Sequence, residues 1–426
     1  MNEFKIVTLS NGVEGGFIKT EKFKTSILSF SFYIPHSEKA ADFALLSEII
    51  TNVSSEFPTI RELKHKLDEL YGAYLTTKAD KVGDMLRIEF TLNFIDDNFT
   101  LNNEIISTDA AKLLISLLFK PSVTNGSFNT QDIERDRRVM KDTILSEIND
   151  KRKFAFGKAI SIMCENEPFG LPRYGTVEQM ENVTNNGLIT AWQYLLENAF
   201  VRVNFIGQNY PKDTFDYISE CFSNIPRDVE KKLLSQKHKY STSKNERMTV
   251  DVNQSKLFLG FTFDSGNDIL SQYIMKMFTV IFSGGTFSKC FKVVREKMSL
   301  CYYCAPTLIY PKGIVFVDLG IDIENCEKAK TAILEQLSAI QNGDITDDEF
   351  DAAILMLKSG LKEVTDSPDL LLTWLKNNTF RDEKYNSITE HEAVIEKLTK
   401  EQIIEVSKTV KLDTTFLLSS PQEVAE

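Results

Sequence analysis

Two imidazoles one helical turn apart are the simplest way for a chain to offer zinc a site, so the histidines are weighed first. There are four, His36, His65, His238 and His391, and none has a second histidine within a turn. His391-Glu392 opens like H-E-x-x-H, but position 395 is Ile395 and the motif fails. Each histidine therefore reads as a surface or packing residue. Cys301-Tyr302-Tyr303-Cys304 has C-x-x-C spacing within a segment that reads as strand. Residues three apart on a strand face opposite sides, so the two thiols cannot easily grip one ion. No second C-x-x-C completes a site, and the six cysteines are scattered. The stretch from Ser283 through Gly284, Gly285 and Thr286 to Lys289 opens a helix, without the G-x-x-x-x-G-K-[ST] order that cradles a nucleotide phosphate. It reads first as a helix-entry turn, with close approach of backbone to a bound group as the alternative.

The elements that must position these residues come in two similar sets. Leu28, Phe30, Phe32 and Ile34 alternate with Ser29 and Ser31, which predicts a strand with one apolar face. A helical stripe follows at Leu45, Leu46, Ile49, Ile50 and Val53. Thr59-x-x-Glu62 predicts a capping box opening a second helix, with Gly72 as its C-terminal cap. The same order returns 229 residues later, where Leu257, Leu259, Phe261 and Phe263 alternate ahead of the helical run Ile269 to Phe278. A second echo pairs the helix after Asn129-Thr130 with the one after Thr346, itself a capping box with Glu349. Two matches at similar offsets predict two copies of one α+β unit. The polar stretch around Pro226 and Ser235–Lys244 predicts a linker. The division expected is 1–222, a linker at 223–248, and 249–426.

The 426 residues exceed what one core accommodates. With 61 acidic against 49 basic side chains, the net charge of −12 repels phosphate backbones and anionic lipid. Nucleic acid and membrane are thus not expected partners, and the cytoplasm is the expected compartment.

The run Phe282 to Tyr302 resembles the C-terminal-half signature of the pitrilysin/insulinase family of zinc peptidases, which includes the mitochondrial processing peptidases. There a glycine-bearing turn leads into a helix carrying R-E-K, here Arg295-Glu296-Lys297, and then a Leu-aromatic strand entry. In that family an Arg and a Tyr seven residues apart contact bound substrate, and Arg295 and Tyr302 have that separation. Their donors suit a peptide carbonyl and its developing oxyanion. The helix ending at Gly72-Ala73, the loop Phe169 to Thr176 and the strand end Phe205-Ile206-Gly207 resemble further family segments, so the likeness runs along nearly the whole chain. It is similar to a YfmF-like bacterial group, usually accompanied by a YfmH-like peptidase.

The resemblance implies an α+β fold of two homologous halves, each a mainly antiparallel sheet with helices packed on one face, as in the processing peptidases. It also exposes a departure. Active members carry H-x-x-E-H on the first helix and a distal Glu, the two His and the distal Glu holding zinc while the motif Glu works on water. The matching positions here are Ala44, Ser47 and Glu48, with Glu134 as the distal carboxylate. Ala44 has no lone pair and Ser47 is no base at neutral pH. The resemblance then implies no metal or cofactor in this chain and no catalysis on its own. Zinc is expected in a partner, an H-x-x-E-H subunit of the same family, to which this chain supplies Arg295, Tyr302 and the Gly284-Gly285 turn as peptide-substrate contacts. A scaffold role, as in respiratory-complex core subunits of similar fold, and a peptide-binding homodimer are the alternatives.

Overall fold

Leu28, Phe30, Phe32 and Ile34 do lie on one face of a strand, β3 (Thr25–Pro35), in the computed structural model, which describes residues 4–240, 242–381 and 387–421. With β1 (Phe4–Ser10), β2 (Val13–Lys19), β4 (Tyr74–Val82), β5 (Met85–Ile95) and, beyond the short hairpin β6 (Val123–Thr124) and β7 (Ser127–Phe128), β8 (Phe200–Gly207), it forms a six-stranded sheet. The strand order is β1-β2-β8-β3-β5-β4, antiparallel throughout except for the β2/β8 pair. A second sheet holds β9 (Lys244–Thr249), β10 (Ser255–Thr262), β11 (Cys301–Ile309), β12 (Ile314–Ile321) and β13 (Lys411–Ser419) in the order β11-β12-β10-β13-β9. Here the single parallel pair is β13/β9. Read from opposite ends, five strands of the first sheet match the five of the second in order and pairing sense, with the parallel pair in the same place. The repeat seen in the sequence is a repeat of fold.

The chain divides into two compact units, and neither is one continuous stretch. The first contains Met1–Leu145, Leu171–Leu234 and Glu363–Ser387; the second contains Ser146–Gly170, Ser235–Lys362 and Ile388–Glu426. The linear division 1–222, 223–248 and 249–426 differs from this in two exchanged stretches. The physical reason is apolar surface. In the second unit, helix Lys151–Met163 buries Ala155, Ala159, Ile160 and Met163 with Phe258, Phe316 and Phe416. In the first unit, helix Pro368–Asn377 buries Leu371, Leu372 and Leu375 with Ile18, Ile27 and Ile206. The expected linker also differs in substance. Asp84 donates its N–H to the Leu234 carbonyl at 2.8 Å, and residues from Lys244 onward are strand β9.

Both faces of the first sheet are covered. One carries the large apolar core, into which helix Ala40–Asn52 packs Leu45, Leu46, Ile49 and Ile50. The face of Ser29 and Ser31 is buried as well. Its polar groups meet each other: Thr91 donates to Ser29 Oγ at 3.2 Å, and Lys376 from helix Pro368–Asn377 donates to Glu89 at 2.9 Å. Helix Ile60–Glu69 opens on the expected capping box, Thr59 Oγ1 accepting from Glu62 N at 3.2 Å and Glu62 from Thr59 N at 2.9 Å. Gly72 follows its end at φ 73°, the left-handed region that glycine enters without steric cost.

Candidate functional site

In the first unit, Ala44 and Ser47 are buried along helix Ala40–Asn52, and Glu48 is half-buried. Ser47 Oγ donates back to the Ala44 carbonyl at 2.8 Å, so its hydroxyl hydrogen is spent on the helix itself. Burial, and then the charge of Asp136, push the Glu48 carboxyl above its ordinary value. The acid that faces Glu48 is Asp136, while Glu134, expected as the distal carboxylate, points elsewhere. On helix Thr130–Ser146 the buried stripe is Ile133, Asp136 and Met140, and positions two apart lie on opposite sides of a helix. Glu134 is exposed and accepts from Arg137 Nε at 3.2 Å. Asp136 accepts from Asn52 Nδ2 at 3.1 Å and from Arg135 at 2.8 and 2.7 Å. The sequence signal that could have chosen it is that i, i+3, i+7 stripe.

These residues do not fit a catalytic zinc. Ala44 offers no donor, Glu48 is held toward its neutral form, and a guanidinium already occupies Asp136. Zinc favours neutral imidazole or thiolate in a tetrahedron, which this set cannot supply.

In the second unit, the run of the family signature is irregular backbone. Helix Ile269–Thr279 passes into a π-helical turn, Val280–Gly284, and a second π-helical segment spans Phe291–Lys297. The wider turn shows in its closing bond, Met298 N to Val293 O at 2.9 Å, five residues apart. Such turns are rare and concentrate at functional positions. Ser299 then adopts φ 53°, a left-handed conformation that costs a serine energy. Strand β11 follows, and its pairing with β12 slips at Tyr302: Cys301 opposes Ile321 while Tyr303 opposes Gly320. Tyr302 is thus the extra residue of a β-bulge, which re-aims its side chain outward.

Arg295 and Tyr302 are brought together by these devices. Arg295 Nε donates to the Tyr302 carbonyl at 3.1 Å, and its guanidinium lies 4.5 Å from the centre of the Phe291 ring. Tyr302 is 60% exposed, and its hydroxyl lies 3.4 Å from Asp322 Oδ1, a partner the sequence reading missed. Gly284 and Gly285 line the preceding turn, half-buried. A Cβ on Gly285 would stand 2.9 Å from the Phe287 ring, so this glycine serves packing within its own loop. Behind the turn, buried Lys289 reaches Glu349 at 3.1 Å, the same Glu349 that closes the capping box of Thr346.

The chain was compared with known proteins against this geometry. Residues 182–357 match the family profile described as the peptidase M16 inactive domain. Over 99% of both chains it is 26% identical to a probable inactive metalloprotease, YmfF, of Bacillus subtilis. A conserved protein of Enterococcus faecalis has the same fold at a TM-score of 0.86, with 24% identity over 98% of each chain. A peptidase M16 inactive domain from Pseudomonas fluorescens matches at 0.77, with 16% identity over 98% of each chain. The chain is thus similar along its whole length to an M16-type protein described as probably inactive, and it shares that fold. The resemblance expected from the signature is met, and the bacterial protein it is similar to is YmfF rather than YfmF.

The remaining candidates sort by environment. Burial lowers His36 to about 4, and it bonds the Leu171 carbonyl at 3.2 Å. His65 is exposed beside Glu69, and buried His391 meets the Tyr273 hydroxyl at 2.8 Å. Cys301 and Cys304 do not face opposite sides as a regular strand requires. The bulge at Tyr302 turns both inward, and burial pushes the Cys301 thiol up to about 12. Among the described residues no helix is long and apolar enough to cross a membrane.

Proposed function

We propose that this chain is the non-catalytic, substrate-contacting subunit of a heterodimeric zinc peptidase, partnered by an H-x-x-E-H chain of its own family. The observation that carries the reading is the contrast within one chain. The zinc positions are filled by groups that cannot bind the ion, while Arg295 and Tyr302 stand exposed on costly backbone. The partner's zinc would polarise the carbonyl and activate water. Among the described residues Arg295 uses Nε on the Tyr302 carbonyl, which leaves its terminal nitrogens to reach a substrate. A guanidinium and a phenol offer donors to a peptide carbonyl and to the charge that builds on it. Asp322 orients the phenol.

The test is reconstitution. This chain, an H-x-x-E-H homologue from the same cell, and the 1:1 mixture are each assayed on an unfolded peptide, with assembly followed by gel filtration. The expected result is a mixed complex that cleaves, with this chain inert alone. A partner equally fast by itself, or no association, overturns the proposal in favour of a scaffold or homodimer.

A further inference from the structure

Away from both patches, the second unit gathers a cysteine, a carboxylate and a histidine around one point. Cys164 closes helix Lys151–Met163, its N–H bonded to the Ile160 carbonyl at 2.9 Å. The chain then turns tightly, with Glu167 N on Cys164 O and Gly170 N on Glu167 O, both 2.9 Å. A Cβ on Gly170 would fall 2.1 Å from the Cys164 carbonyl oxygen, so only glycine permits this turn. The turn aims a C-x-x-E pair inward. His238 enters from the stretch after Ser235, fixed by its own N–H on the Lys312 carbonyl at 2.7 Å and by Ser235 Oγ on Pro311 O at 2.6 Å. The Cys164 sulfur, a Glu167 oxygen and a ring nitrogen of His238 all lie within 4.8 Å of one another. His238 Nδ1 faces Glu167 Oε1, and Nε2 faces Asp413 Oδ2 at 3.3 Å. Thr414 fixes Asp413 at 2.6 Å.

We infer that Cys164 Sγ, Glu167 Oε1 and His238 Nδ1 form a structural site for a zinc-class divalent ion, with Asp413 holding the His238 ring from behind. Thiolate, imidazole and carboxylate are the donor types zinc takes, and a carboxylate on the far nitrogen of a ligating histidine is the usual orienting partner. Charge also closes. With the ion bound, a thiolate, the carboxylates of Glu167 and Asp413, the fully buried ammonium of Lys312 at 2.6 Å from Glu167 Oε2, and a dication sum to zero. The ion would pin residues 235–240 to the Cys164 turn and to β13. A linear reading could not find the site, because His238 lies 71 residues from Glu167 and 175 from Asp413. It is independent of the peptidase proposal, which concerns other residues.

The probe is Co²⁺ on the full chain stripped with a chelator. We expect one equivalent to bind with a thiolate-to-cobalt charge-transfer band, displaced by one equivalent of Zn²⁺. Zinc should protect one thiol from alkylation, mapped to Cys164, and slow proteolysis at 235–240. Cys164→Ser should remove the band, and Asp413→Asn should weaken affinity about 10- to 100-fold. Glu48→Gln should change neither. Because the alkylation map uses the unaltered chain, it holds even if Cys164→Ser fails to fold. Absence of the band in the unaltered chain, or protection of Cys301 or Cys304 instead of Cys164, overturns the site.

Discussion

The first helix after β3 and the corresponding run after β10 begin from one fold and end in opposite states. Helix Ala40–Asn52 is regular, its face packed with Ala44, Leu45 and Ile49, with Ser47 turned to local bonding and the Glu48 carboxyl raised above its ordinary value by burial. The run from Ile269 to Tyr302 breaks regularity with two π-helical segments, a left-handed serine and a bulge, and it leaves Tyr302 exposed. Irregular backbone is costly and persists where something uses it. A lost site relaxes into ordinary core. On the proposed reading the second region is the one that still contacts substrate, and substitutions in each region can break that contrast.

The largest expected effect is at Arg295. If the pair stabilises charge on a scissile carbonyl, Arg295→Ala should lower turnover of the mixed complex on the order of 100-fold, with assembly unchanged. Tyr302→Phe should act in the same direction. Turnover equal to wild type in both would falsify the substrate-contact role and leave the region a packing feature. Next is Ala44→His, which restores a ligand type to the first region. Because Ala44 is 1% exposed in the core, the added ring overpacks, and stability should fall by about 1–3 kcal/mol with no cleavage gained. A stable, zinc-loaded variant would show the first region to be an idle site rather than core.

Ser299→Gly probes the strain itself. Glycine removes the left-handed penalty but gives the unfolded chain more freedom, so the net change should stay within about 1 kcal/mol. The informative readout is turnover of the mixed complex, which should drop several-fold if the backbone holds Arg295 and Tyr302 in register. A loss of stability with full turnover would mean that the serine conformation serves packing alone.

How much of this was readable from residues alone follows from the range of each interaction. Local periodicity gave β3, β10, the helix at 40–52 and both capping boxes, because alternation, stripes and caps are set by residues a few positions apart. The Arg295–Tyr302 pairing was readable only as a spacing of seven. Its bulge needs β12 as a partner, and the strand rule applied to Cys301 and Cys304 failed for the same reason. Glu134 was named from the likeness of its run to a family motif, and only the packing of helix Thr130–Ser146 decides which of the two acids there is buried. Nothing near Ser29 and Ser31 in sequence announces that a helix more than 330 residues later covers their face.

The smallest effect, and the cleanest check on the first region, is Glu48→Gln. In the folded chain burial, and then Asp136, hold this carboxyl above its ordinary value of 4.5. A group whose folded value is raised contributes stability below its unfolded value and loses that contribution as pH climbs through the folded one. Wild type therefore bears the cost of a buried charge at neutral pH that glutamine never carries. The variant should melt slightly higher than wild type at pH 7, and the gap should shrink toward zero as pH falls to 4.5 and below. Glu134→Gln, on the exposed face of its helix, should track wild type at every pH. Melting temperatures of the three proteins from pH 4 to pH 8 decide it. Parallel curves for Glu48→Gln and wild type would mean that Glu48 keeps its charge solvated, and the first region would no longer count as relaxed core.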